Sequence, residues 1–315
     1  MNSISLDNII STNSVFEKEN RDDFYFGEKL LSLYNRYFQN IDNQLTNEFK
    51  NHLKILFGIT FELKELRDNF VETGNLINLF PTAYFHTTYL KLEQILDGVY
   101  DFPIEKIKQI QYFYYAYRYN RNFWESGEKN LVENHWKRHF EQCEQKISKY
   151  DFKKYLGYII ATGIEAHVEY DLARALQFSI KNRHNTSLSE EEFLKEISRE
   201  FFKTEIIFPK VTERTNADIC KAGLCSKLWL DLFTKSFGRK ITKNFISPFS
   251  KQNIFTDLEV IEKRNQILEK INQENFYGIY GELLINQPII DEEVLLEKGG
   301  LFLENKLSQN IVYKI

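Results

Sequence analysis

Residues 151–180, DFKKYLGYIIATGIEAHVEYDLARALQFSI, constrain the fold more than any other stretch of the chain. From Tyr155 to Ile164 there is no charge, and a helix over these residues is apolar on every side. Such a helix has no face to offer water, so it predicts a bundle packed around this segment. Gly157, Ala161, Gly163 and Ala166 are small, which lets neighbouring helices come close. Into the second half of the segment are set Glu165, His167, Glu169, Asp171 and Arg174.

The rest of the chain supports a helical reading. Gly 13 and Pro 5 among 315 residues is about half the usual share, which favours long elements with few sharp turns. Hydrophobic residues make up 43%, enough for a core, and this excludes a disordered chain. With Lys+Arg 41 against Asp+Glu 45 the net charge is −4, so a strongly basic nucleic-acid binder is excluded and no nucleic-acid partner is expected. The aromatic share of 15% suits a packed interior, although an A/T-rich coding sequence produces the same excess.

Spacing of apolar residues places the helices. The first predicted helix follows Asp22-Asp23, acids suited to a helix N-terminus, and carries Phe26, Leu30, Leu33, Tyr34, Tyr37 and Phe38. A second runs through Leu45, Phe49, Leu53, Leu56, Leu63 and Leu66, past Gly58. Thr73 to Pro81 reads as a connection, and Tyr84 to Ile95 as a helix closed near Asp97-Gly98. Pro103 opens the next, with Ile104, Ile107, Ile110, Tyr114 and Tyr117. After Gly127 comes a helix with Val132, Trp136, Phe140, Cys143 and Ile147. Asp151 is placed to cap a single helix from Phe152 to about Lys181, and Ser189 with Glu192 forms a capping box. Further helices are expected over 211–237 and from about Asp257 to Ile271. The predicted class is all-α, a multi-helix bundle around a buried central helix. Its predicted organisation is a loose arm over 1–20, a helical domain over 21–275, and a small C-terminal appendage over 276–315 that forms a hairpin or a short helical tail.

Cys143, Cys220 and Cys225 are too few and odd in number for a disulfide framework, and fit free thiols in a reducing compartment. The first twenty residues lack the basic start and apolar core of a secretory signal. The longest uncharged stretch, Thr73 to Leu90, contains Asn75, Asn78, Pro81 and His86, so no membrane span is expected. These features together predict a cytoplasmic protein.

His167 and Asp171 are four residues apart and Arg174 three further, which lines them on one helical face. On a buried helix such groups must be paired, because unpaired burial costs several kcal/mol. This leaves two readings. The stripe is a polar network tying helices together, or it is a site in which His167, Asp171 and Arg174 carry acid–base chemistry or His167 and Asp171 ligate a divalent metal. His135, His139 and Cys143 also repeat at four-residue spacing, and His135 or His139 from that helix would complete a His/His/Asp set. Cys220-x₄-Cys225 lacks metal spacing and reads as core, His86 reads as a boundary residue among aromatics, and no phosphate-binding loop, nucleophile elbow or HExxH motif is present.

The segment Ala166-His167-Val168-x-x-Asp171-Leu172 resembles the signature of a bacterial and fungal all-helical family, a domain of unknown function that reads Asn-Ala-His-Ile-x-x-Asp-Leu-Pro inside a long apolar helix. Ala166, His167, Asp171 and Leu172 match; Glu165 stands in place of Asn and Ala173 in place of Pro. Phe24 to Val71 is similar to the family's opening helices. Phe113-Tyr114-Tyr115-Ala116-Tyr117, with Trp136 and Phe140, is similar to its aromatic helix and Trp-x₃-Phe element. The resemblance covers about residues 24–275 and implies a fold and a site, not a reaction.

The reading favoured is an enzyme acting on a small, largely apolar substrate in a pocket of the bundle. The alternatives are a non-catalytic binder of an apolar ligand, and a structural or interaction protein whose polar stripe is scaffolding. The sequence leaves the oligomeric state open.

Overall fold

The structure is a computed structural model that describes residues 47–145, 152–183, 187–190, 192, 193, 196, 197, 200 and 206–224. The expectations for the 1–20 arm, the helix after Asp22-Asp23, the helix from Asp257 and the 276–315 appendage lie outside these residues.

Seven α-helices and no strand occur among the described residues, so the all-α expectation holds there. They are α1 (Asn47–Thr73), α2 (Leu79–Leu96), α3 (Pro103–Ser126), α4 (Asn134–Glu144), α5 (Phe152–Glu165), α6 (Leu172–Lys181) and α7 (Phe208–Lys221). A short 3₁₀ turn, Leu76–Asn78, leads into α2, and a π-helical turn, Ala166–Asp171, joins α5 to α6. No helix among the described residues is long and apolar enough to cross a membrane.

Local chemistry explains where these helices begin and end. α2 starts ahead of the predicted Tyr84, because Pro81 falls in its first turn, where a missing N–H has no intrahelical partner to lose. Pro103 opens α3 as expected, and Gly127 at φ 84° closes it. The Ser189–Glu192 box forms: the Glu192 N–H donates to Ser189 Oγ at 3.3 Å and the Ser189 N–H to Glu192 Oε2 at 2.9 Å. The helix expected over 211–237 instead closes at Lys221. Gly223, at φ 71°, occupies the left-handed position that only glycine adopts freely. Around it the Leu224 N–H reaches the Ile219 carbonyl at 3.2 Å and the Gly223 N–H the Cys220 carbonyl at 3.0 Å, a Schellman cap. Leu224 then folds back onto the cluster of Phe70, Leu79, Leu156 and Ile219.

The helix enclosed on every side is α3. Its consecutive residues Tyr112 to Tyr117 are all buried, which no amphipathic helix allows. Two of its phenols are hydrogen-bonded: the Tyr114 hydroxyl donates across the core to Glu62 on α1, and Tyr117 accepts from Arg121 one turn along the same helix at 3.0 Å. The apolar α5 buries Tyr155, Leu156 and Ile159 but leaves Tyr158 44% exposed, its hydroxyl accepting from Arg138 at 3.2 Å. An apolar helix can thus sit at the boundary when its outward aromatic has a polar tip.

The small residues of α5 permit one close approach. A Cβ on Gly163 would stand 2.6 Å from Phe80 Cδ2 and 3.1 Å from His139 Cε1, and Phe80 is held by Tyr117, Trp136 and His139 around it. Gly163→Ala is therefore expected to destabilise the fold by about 1–3 kcal/mol through overpacking, although alanine is the better helix former. A thermal melt checks this; an unchanged or higher melting temperature would contradict the contact.

Candidate metal centre

The first residues of α4 and the last of the π turn build a polar site inside this aromatic frame. Glu133 is the N-cap of α4, and its backbone N–H donates to Oδ1 of the fully buried Asn120 on α3 at 2.7 Å. That bond fixes where α4 begins and so where Glu133 and His135 stand. Trp136, one residue on, is fully buried and donates its indole N–H to Asp171 Oδ2 at 3.1 Å.

Ligand atoms of Glu133, His135 and Asp171 all lie within 4.8 Å of one another. His135 Nε2 is 3.4 Å from Glu133 Oε2 and 3.5 Å from Asp171 Oδ1. Asp171 is fully buried and the His135 side chain 9% exposed, yet neither His135 Nε2 nor Asp171 Oδ1 has a hydrogen-bond partner. The Tyr170 ring stacks on the His135 ring, 4.4 Å between centroids and 2° between planes. Arg174 donates from one nitrogen to both Glu133 oxygens, at 2.9 and 3.2 Å, and comes within 3.9 Å of Asp171 Oδ1.

The electrostatics are set by burial. Desolvation raises the Asp171 carboxyl above the usual range, against the pull of His135 and Arg174. Burial, followed by the Asp171 charge, also raises the Tyr84 and Tyr112 phenols, so Asp171 is flanked by hydroxyls that stay protonated. Separations of 3.4–3.5 Å match the edge of a tetrahedron with bonds of about 2.0–2.1 Å, the lengths at which nitrogen and oxygen ligands hold zinc. Three such ligands leave one position open.

The structure thus brings together His135, Asp171 and Arg174 among the residues singled out from sequence, and adds Glu133. His139 and His167 stand apart from this group. His139 is fully buried, with Nδ1 3.2 Å from Thr162 Oγ1 and Cys143 Sγ 3.8 Å from Nε2. His167 lies among Phe80, Tyr84 and Phe113, ring centroids 5.6, 5.0 and 3.9 Å away, with Nδ1 buried and unpartnered. Among the described residues no hydrogen bond or ion pair joins His167 to Asp171. The expected α-helical stripe is interrupted by the π turn, whose extra residue rotates α6 by about 100° relative to a continuous extension of α5. His167 therefore addresses α2 and α3, and Asp171 addresses α4. Glu133 escapes sequence reasoning because it precedes its helix; its signal is the Glu-x-His spacing directly before Trp136.

A second buried cluster sits elsewhere. His86, read from sequence as a boundary residue, is 5% exposed and bonds through Nε2 to Asp218 Oδ2 at 2.7 Å. Arg67 donates to both oxygens of the same carboxylate, at 2.7 and 2.5 Å.

No known protein family, curated protein or solved structure matches the chain.

Proposed function

We propose that the chain is a metal-dependent enzyme acting on a small, largely apolar molecule, with Glu133, His135 and Asp171 holding a divalent cation. The observation that carries this reading is two buried atoms 3.5 Å apart, His135 Nε2 and Asp171 Oδ1, that make no hydrogen bond and converge with Glu133 at ligand spacing. A lone pair left bare in a protein interior is costly, and a cation shared between them removes that cost. Arg174 suits the arrangement by orienting Glu133 and offsetting one of two carboxylate charges. Trp136 orients Asp171 in the same way. A cation there would polarise a substrate oxygen or lower the pKa of a bound water. The rings around His167 supply an apolar wall nearby, and the Cys143 thiol suits a cytoplasmic setting.

One observation favours a structural alternative: the Arg174–Glu133 pair closes on itself without a metal. Calorimetric titration of Zn²⁺ and Mn²⁺ into chelator-stripped full-length protein separates the two. One ion per chain is expected, with affinity falling in His135→Ala and Asp171→Asn by more than the roughly 10–100-fold that loss of an outer-shell partner costs. Absence of binding, or undiminished binding by Asp171→Asn, would return the cluster to scaffolding.

A further inference from the structure

The ligand cluster is not electrically balanced, and the imbalance points to what its open position accepts. Glu133 and Asp171 bring two negative charges and Arg174 one positive, while a histidine coordinates as the neutral ring. The charged groups coupled to Asp171 and Arg174 are each other, Glu133 and His135. Tyr112, coupled to the same groups, keeps its proton. The cluster by itself is therefore one charge negative, and a divalent cation makes it one charge positive. An unmatched charge enclosed in protein is strongly unfavourable, so the loaded site calls for a monoanion.

The exposure of the four side chains shows where that anion enters. Asp171 is fully buried, Trp136 backs its Oδ2, and the Tyr170 ring lies flat over His135. Glu133 and Arg174, by contrast, keep 25% and 23% of their side-chain surface open. They pair at the mouth of the cluster, Glu133 from the N-cap of α4 and Arg174 from the first turn of α6. Arg174 Nη1 is 3.2 Å from Glu133 Oε2 and 3.9 Å from Asp171 Oδ1. An ion held by those two oxygens at about 2.0–2.2 Å thus lies at most about 5.5 Å from that nitrogen. One carboxylate spans such a gap, with one oxygen on the ion and the other against the guanidinium, a pairing that arginine favours. A phosphate, close to doubly charged at neutral pH, would leave the site negative again.

We propose that the open position takes the carboxylate of a small monoacid, shared between the bound cation and Arg174. The inference rests on the metal reading of Glu133, His135 and Asp171, and adds the class of ligand: an apolar body carrying one carboxylate. A neutral molecule of the same shape leaves the positive charge unmatched and binds more weakly.

The test uses chelator-stripped full-length protein loaded with Co²⁺, whose visible absorption reports on what occupies its coordination positions. Benzoate is titrated in chloride-free buffer against benzamide, its neutral counterpart, and against inorganic phosphate. Benzoate is expected to shift the cobalt bands saturably and to bind at least about ten-fold more tightly than either. Arg174→Met, at a cobalt concentration that saturates it, should weaken benzoate by at least about ten-fold while still holding one cobalt per chain. If that variant takes up no cobalt, the wild-type comparison decides alone. Benzoate binding no tighter than benzamide, phosphate binding tighter than benzoate, or undiminished benzoate binding by cobalt-loaded Arg174→Met would overturn the proposal and leave the metal reading standing. Failure of the wild-type protein to take up cobalt would overturn both.

Discussion

The folded protein is expected to lose stability as pH falls below about 6.5, and to unfold before pH 3. The cause is histidines buried in the neutral form. Burial brings both His139 and His167 down to about 3, and lowers His86 as well. Below 6.5 the unfolded chain binds protons at these side chains and the folded chain does not, so stability rises with pH through this window and levels off above it. Each such histidine contributes a slope of about 1.4 kcal/mol per pH unit. Two of them therefore remove about 5 kcal/mol over the first two units, comparable with the whole stability of a marginal domain. Asp171 works in the opposite sense, because its raised carboxyl protonates more readily when folded, but it is one group against three. Denaturant titrations at pH steps from 8 to 4 check the slope. His139→Gln should flatten it by about one proton, about 1.4 kcal/mol per unit, whatever that variant costs at neutral pH. A free energy of unfolding that is flat from pH 7 to 4 would show that these rings are protonated in the folded state.

The same burial explains what sequence conveys about this protein and what it does not. Helix starts at Pro103 and Ser189 are legible because their chemistry is local: a proline at the first position, and a serine three residues before a glutamate. Lys221-Ala222-Gly223-Leu224 is equally local, but its glycine lies inside an apolar pattern that continues to Leu228 and Leu232, and the pattern outweighs it. The π turn leaves no mark in composition, since it changes the hydrogen-bond ladder and not the residue types. Its effect is to turn the expected His167/Asp171 stripe into two environments. His135 and Asp171 are both identifiable as polar groups amid apolar ones, whereas their meeting with Glu133 depends on how α4 packs against the π turn, which periodicity does not encode. The Arg67–Asp218 pair spans a sequence separation of 151, so nothing short of the fold could join its members.

Asp218→Ala is the substitution expected to cost the most stability, about 3 kcal/mol, because it removes the buried carboxylate facing Arg67, which keeps only the half-exposed Asp68, and leaves His86 Nε2 without its acceptor. Asp218 is 1% exposed on α7 and fastens that helix to α1 through Arg67 and to α2 through His86. Burial works against its charge, but the bonds from His86 and Arg67 outweigh it and hold the carboxyl down to about 2. Its contribution is therefore complete above the unfolded value near 4 and is lost only as pH falls through about 2, below the window in which the histidines act. With Asp218 ionised, the short contact requires His86 to donate from Nε2, which leaves Nδ1 bare, as observed. A buried ion pair gains little over apolar groups of the same shape, whereas half of one is strongly unfavourable. An Arg67→Met/Asp218→Leu double variant is accordingly expected to be more stable than Asp218→Ala, even though it removes more of the native contact. Chemical denaturation of the two variants decides between the accounts. If the double variant is the weaker, the pair stabilises by direct attraction; if the single one is, its cost is that of the groups left behind.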